Sequence, residues 1–379
     1  MGVQPTIKDL AAEVGVEKSF PFAELKTCLQ KAIAQNRPVH FLPCYRHDHM
    51  ILLEDFMGIR ASQVNHFASQ ELIKAVVSLR SVKEPCEIVE IDKACNVGYE
   101  MHTAAMRLCK PGTCEHYIAG VLDGIAASYG SMVSFATILT QNGQTLHNHD
   151  HSHILEAGRL MLTDAGAELD NGYCSDNTRT IPVGGKFTPR QRDVYNAVLA
   201  AHDRALEITK PGITYKEVHL EVCKVLAQCL KDLGLMKGNI EDAVAAGAHA
   251  MFLPHGLGHM MGLDVHDMEG LGQTNVGYDD EIRPSTQFGL ASLRMGRRLQ
   301  EGFVVTDEPG CYFIPALIDQ WRAQGLNKDF LNFDKIETFK DFGGIRIEDD
   351  ILITADGSRF LGEKRIPVTI DEIETYMAK

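Results

Sequence analysis

Four carboxylates lie inside segments that are otherwise apolar and strand-like: Asp164 at the end of MLTD, Asp176 in YCSDNTRTI, Glu308 after FVVTD, and Glu348 in GIRIEDDILI. A charged side chain in a core strand is costly unless it is paired or binds a metal. Any one of the four alone reads as a turn or salt-bridge residue; together they read as a site. Converging carboxylates repel one another, and a pair of divalent cations is their natural counter-charge. The run MFLPHGLGHMMGLDVHDMEG adds His255, His259 and His266, set among Gly256, Gly258 and Gly262, residues that let a backbone pass close to something. One imidazole with four carboxylates is an oxygen-rich donor set. It suits Mn2+ or Co2+, admits Zn2+, and lacks the thiolates of a structural zinc site. Arg346 and Glu348 are two residues apart on a strand and so share a face, where Arg346 can brace a ligating carboxylate.

These side chains need elements to aim them. GRLMLTDAGAEL and GYCSDNTRTIPV predict two strands joined through Asn171-Gly172. A strict two-residue turn there would set Asp164 opposite Arg179, so the spacing predicts a bulge or a longer loop that re-aims one aspartate. EGFVVTDEPGCYFI and FGGIRIEDDILIT predict strands, and residues 188–208 and 214–235 predict helices. LRSVKEPCEIVEIDKACNVGYEMHTAAMRLCKPG predicts one long amphipathic helix closed by Pro111-Gly112. In the leading part, FAELKTCLQKAIA predicts a helix, and RPVHFLP and HMILLED predict short strands. The sequence also echoes itself. HTAAMRLCKPG (102–112) returns as HDRALEITKPG (202–212), each followed by a glutamate, Glu115 or Glu217, and LTDAG (162–166) returns as VTDEPG (305–310). Two similar halves with a site between them follow from that pairing.

The bulk numbers narrow the function. The 379 residues are 45% apolar and 23% charged with a net charge of -14, which argues against nucleic acid and against an anionic membrane as partners. No apolar stretch reaches the length of a membrane span, and MGVQPTIKDLAAEVG lacks the basic-then-apolar pattern of a signal peptide. None of the ten cysteines forms a Cys-x-x-Cys pair. Cys28, Cys86, Cys95, Cys109, Cys223 and Cys229 fall in helix-like segments, which predicts reduced thiols in a cytoplasmic protein.

The order of two Asp, the His of HGxGH, the Glu of EPG and the Glu of RIED resembles the ligand set of the pita-bread (creatinase/aminopeptidase) metallopeptidases. That family includes prolidase, aminopeptidase P and methionine aminopeptidase. The resemblance covers about residues 80–379. It implies an α/β (α+β) pita-bread catalytic domain with pseudo-twofold halves at 80–379, preceded by a short, truncated N-terminal domain at 1–79. It also implies two divalent metal ions. Asp176 and Glu348 would bridge both, Asp164 would hold one, and His259 and Glu308 the other. Residues 252–267 nearly reproduce the FMPHGLGHxxGxDVHD of prolidases, and EPGCYFIPALIDQW with FGGIRIEDD resembles the bacterial Xaa-Pro dipeptidase pattern. By the same resemblance, Arg294 in SLRMGRRL binds a dipeptide's terminal carboxylate, a task that suits a planar guanidinium. His147 in TLHNHDHSH sits on the substrate side, Phe135 and Ile138 line the pocket, and Thr178 supports the bridging Asp176. His255 and His266 would stabilise the oxyanion, and Glu308 would shuttle a proton. The implied activity is hydrolysis of Xaa-Pro bonds in small peptides, dipeptides first and longer peptides as the alternative, by a homodimer. A methionine aminopeptidase usually lacks the insert between EPG and RIED. Non-catalytic relatives lose metal ligands, and creatinase-type hydrolysis needs none.

Overall fold

The computed structural model describes residues 2–379, and the chain divides into two compact units between Ser78 and Leu79. The leading unit carries helices α1 (Ile7–Glu13), α2 (Leu25–Ala34) and α3 (His47–Met57). Neither of the short strands expected there forms. Residues 37–43 have no regular structure, since Pro38 and Pro43 bracket them and Pro cannot donate to a ladder. HMILLED lies within α3. Its apolar residues follow a helical step, Met50, Leu53 and Phe56, and Gly58 closes the helix in the left-handed conformation (φ 73°). Seven mostly apolar residues fit either a strand or a helix, and only their packing decides.

α4 (Gln70–Ser81) leads into α5 (Pro85–Leu108), so the single long helix expected here is two. Pro85 has no N–H to continue α4 but is well placed at the first turn of a helix. Glu84 and Glu87 complete a reciprocal capping box at that turn. The second unit continues with α6 (Glu115–Ser128), β1 (Met132–Val133), β2 (Ile138–Thr140), β3 (Leu160–Ala165), β4 (Ala167–Glu168) and β5 (Asn177–Pro182). Next come α7 (Pro189–Ile208), α8 (Tyr215–Asp232), α9 (Ile240–Ala245) and α10 (Gln273–Val276). The last part holds β6 (Val304–Asp307), β7 (Gly310–Tyr312), α11 (Pro315–Gln324), α12 (Phe333–Glu337), β8 (Gly344–Arg346), β9 (Asp349–Ile353), β10 (Ser358–Phe360) and α13 (Ile370–Met377).

Two antiparallel three-stranded sheets, β2-β3-β5 and β10-β9-β6, form the heart of this unit. α5 packs on α6 and α7 on α8. The sequence echo is structural. The Gly112 N–H donates to the Leu155 carbonyl (2.8 Å) as the Gly212 N–H donates to that of Leu299 (3.0 Å), and Glu115 reaches His153 as Tyr215 reaches Arg297. Each half therefore ties its helix-pair turn to the segment leading into a strand of its sheet, β3 in the first and β6 in the second. The halves join where Thr178 and Glu348 exchange backbone hydrogen bonds, 3.3 Å and 3.0 Å.

β3 and β5 pair with Asp164 opposite Thr178. The turn is one residue longer than the tightest hairpin: the Leu169 N–H donates to the Tyr173 carbonyl across Asp170, Asn171 and Gly172, with Gly172 at φ 87°. The ladder is interrupted at Gly166 and Asp176. A Cβ on Gly166 would come within 1.8 Å of the Ser175 carbonyl oxygen, and the Asp176 N–H leaves the ladder for Asp350 Oδ2 (2.9 Å). The other two expected strands are also broken: Glu308 falls between β6 and β7, and Glu348 between β8 and β9. Three of the four carboxylates thus stand at interruptions, where the side chain is free of the pleat's alternation.

Candidate active site

A cavity of about 510 Å3 in the second unit is lined by Asp164, Asp176, His259, Glu308 and Glu348, and also by Phe135, Ile138, His147, His255, His266, Arg294 and Arg346. Of the residues singled out from sequence, only Thr178 lies behind this wall. One donor atom each from Asp176, His259 and Glu348 lies within 4.8 Å of the others. His259 Nε2 is 3.3 Å from Asp176 Oδ2 and 3.9 Å from Glu308 Oε1. Its Nδ1 sits 3.0 Å from its neighbour's carbonyl, Met260 O, which holds the proton on Nδ1 and leaves the Nε2 lone pair facing the carboxylates. Asp164 Oδ1 is buried with no hydrogen-bond partner.

The backbone explains how His259 gets there. The His259 N–H donates to Thr306 Oγ1 (3.2 Å) and the Thr306 N–H to the His259 carbonyl, so the GLGH segment runs as an extra edge along β6. A Cβ on Gly258 would come within 2.0 Å of the Thr306 carbonyl oxygen, so only glycine permits that approach.

Burial and mutual repulsion dominate the electrostatics. Burial, reinforced by Asp164 and Asp350, pushes the Asp176 carboxyl well above its usual range. Burial and then Asp176 do the same to Glu348, and burial raises Glu308. Arg346 is the cation built into this group. It donates to Asp164 Oδ2 (2.5 Å), to Thr178 Oγ1 (3.0 Å) and to the Tyr312 hydroxyl (2.9 Å), and lies 3.9 Å from Glu348. One guanidinium against four carboxylates leaves a net negative hole. An orphaned oxygen, a lone pair aimed inward and oxygen-rich donors fit divalent cations.

The Thr178 hydroxyl donates to Glu348 Oε2 (2.6 Å), not to Asp176 as expected, because the longer turn places Thr178 on the seam with Glu348. Three further residues are given no role by the sequence. Tyr312 links His255 (2.9 Å) to Arg346. Glu269 holds His266 Nδ1 (2.7 Å) and pairs with Arg294. Asp350 fixes the Asp176 backbone. The acidic residue three positions after His266 was a local signal for Glu269; no spacing ties Tyr312 to the site. Burial keeps His255 and His266 neutral, each pushed down to about 3.

Known proteins resemble this chain in sequence and fold. Over 333 residues the chain is 33% identical to Xaa-Pro dipeptidase of Homo sapiens, covering 85% of this chain and 64% of that protein. It is 34% identical to a probable Xaa-Pro aminopeptidase of Botryotinia fuckeliana, covering 76% of this chain and 61% of the relative. The chain therefore spans somewhat less than two thirds of the curated relatives it matches. Proline aminopeptidase P II from Yersinia pestis superposes with a TM-score of 0.76 at 31% identity, over 98% of this chain and 78% of that structure. Aminopeptidase P of Escherichia coli in complex with substrate gives the same TM-score at 28% identity, and the fold is thus the pita-bread fold. Residues 89–355 match the profile of metallopeptidase family M24, and the chain belongs to that family.

Proposed function

We propose that the chain hydrolyses Xaa-Pro bonds, dipeptides foremost, with two divalent cations held by Asp164, Asp176, His259, Glu308 and Glu348. The observation that carries this is one cavity holding those five donors and Arg294 together. Membership of the family implies divalent-metal binding; the number of ions and the choice of Mn2+ over Co2+ or Zn2+ are part of the proposal. The cations, when bound, supply an acidified water and charge stabilisation for a carbonyl oxygen. The protein does the rest. Glu308, raised by burial, accepts the attacking water's proton and passes it to the departing proline nitrogen. His255 donates its Nδ1 proton to the Gly256 carbonyl (2.8 Å) with Glu308 3.7 Å away, and would share that proton with the oxygen that gains charge. His266, with its Nδ1 proton held by Glu269, offers Nε2 as an acceptor that orients the peptide rather than as the oxyanion donor expected from the sequence. His147 positions the proline side, Phe135 and Ile138 wall the ring, and Arg346 and Thr178 brace Asp164 and Glu348. A cytoplasmic homodimer belongs to the same reading, and ten free cysteines fit a reducing compartment.

The Xaa-Pro aminopeptidases among the relatives favour a second reading, release of the first residue from longer peptides. Arg294 separates the two. It pairs with Glu269 here, so a dipeptide's terminal carboxylate would compete with Glu269 for the guanidinium. With Mn2+ present, Ala-Pro is expected to be cleaved in preference to Ala-Pro-Ala, and Arg294→Ala to raise KM for Ala-Pro by roughly 10- to 100-fold, the worth of a charged hydrogen-bond pair. Preference for the tripeptide, unchanged in the variant, would favour the second reading.

Metal also shapes the pH dependence. The buried His102 is pushed down to about 4. Its contribution is present above the unfolded value of about 6.5 and is lost as pH falls towards 4. The raised carboxyls of Asp176 and Glu348 act in the opposite sense: without metal they take up protons on folding, so acid favours the folded state. The Tm maximum of the chelated protein is therefore expected at lower pH than that of the Mn2+-loaded protein. Coincident maxima would count against a metal on these carboxylates.

A further inference from the structure

Away from the carboxylates, three more metal-type donors meet in the core. His219 and Cys223 stand one turn apart on the buried face of α8, and His249 faces them from the short 3-10 turn Ala248–Met251. One donor atom from each lies within 4.8 Å of the others. His219 Nε2 is 3.5 Å from Cys223 Sγ. Two ligands of one cation, nitrogen at ~2.0 Å and sulfur at ~2.3 Å, stand roughly 3.5–3.8 Å apart. All three side chains are at most 1% exposed.

The polar atoms there are not otherwise used. Both ring nitrogens of His249 lack a hydrogen-bond partner, and His219 Nε2 has only Cys223 Sγ beside it. The Val244 carbonyl favours a proton on His249 without reaching hydrogen-bond geometry, which leaves the other nitrogen's lone pair free. Orphaned polar atoms at this depth are rare in native proteins and point to a water or an ion. Burial holds His219 down to about 3 and His249 down to about 4, so both imidazoles are in the neutral, ligating form. Charge selects the ion. Two neutral imidazoles and one thiolate neutralise a monovalent cation completely but leave a divalent one with a buried positive charge. Thiolate with imidazole at low coordination number suits a soft cation.

We propose that His219, Cys223 and His249 form a second, structural metal site for a soft d10 cation, Cu+ ahead of Zn2+. On binding, the Cys223 thiol releases its proton to solvent and the cation takes its place, with no change of oxidation state. The site would pin the segment that carries His255: the Phe252 and Leu253 N–H groups both donate to the His249 carbonyl (2.9 Å and 3.0 Å). It is independent of the peptidase reading, because the carboxylate cluster contains no sulfur donor.

The test offers Cu+ without oxygen to the full chain, against a coloured Cu+ chelator, and also during expression in copper-supplemented cells. The wild type is expected to retain one copper with a raised Tm, and the copper X-ray absorption to show one sulfur and two nitrogens. Cys223→Ser, checked for native circular dichroism, is expected to retain none beyond background. No retained copper by either route would overturn the proposal and leave a buried water as occupant. A shell of two or more sulfurs would also overturn it, by placing the copper on other cysteines, and that readout stands on the wild type even if the variant does not fold. Zn2+ retained on these residues in place of Cu+ would overturn the charge argument.

Discussion

Glu308→Ala is expected to lower kcat by roughly 100- to 10,000-fold, the usual worth of a positioned acid–base group, while the fold survives. Glu308 sits in the gap between two strands, and its N–H bond to the Leu257 carbonyl (2.8 Å) is made by the backbone and outlasts the side chain. Without metal the variant should be at least as stable as the wild type, because one of four mutually repelling buried carboxylates is gone. Lower activity with equal or higher metal-free Tm is the signature of a group kept for chemistry at a cost in stability. Thermal denaturation with EDTA beside initial rates with Mn2+ reads both. Near-normal turnover would remove Glu308 from the mechanism, and a collapse of Tm would make it a structural residue.

Arg346→Met is expected to act in the other direction. Arg346 is 4% exposed, and its removal strands Asp164, frees the Tyr312 hydroxyl and deletes the positive charge nearest Glu348. Breaking a buried pair from one side costs about 3–5 kcal/mol. Bound cations supply part of the missing charge, so the loss in Tm should be larger in EDTA than in Mn2+. An equal loss in both would show that the side chain matters only for packing.

Much of the site was legible because charge in an apolar strand is conspicuous. Asp164, Asp176, Glu308 and Glu348 could be picked out without knowing the pairing, and the GLGH glycines announced a close approach whose partner, Thr306, only the structure names. The register was less legible. Asn171-Gly172 marks a turn, but whether two or three residues make it depends on which of them takes positive φ, and that choice moves Asp164 from Arg179 to Thr178. α3 was misread because its apolar run is short enough for either period. Arg179 was passed over as an ordinary strand residue. It is almost fully buried, and its five donors meet Asp349 and the carbonyls of Thr178, Glu348, Ile366 and Pro367. Apart from the adjacent Thr178, these partners lie 169 to 188 residues away, and no local pattern announces them.

The seam between Thr178 and Glu348 also bears on how the molecule assembles. Each half can build its own hairpin from neighbouring sequence, but the seam closes a loop of most of the domain, and contacts of such long range form slowly. The carboxylates gather only at that closure. The late part of folding is therefore where the full set of four like charges is forced together, and where the ionic composition of the surroundings acts on the rate as well as on the final stability.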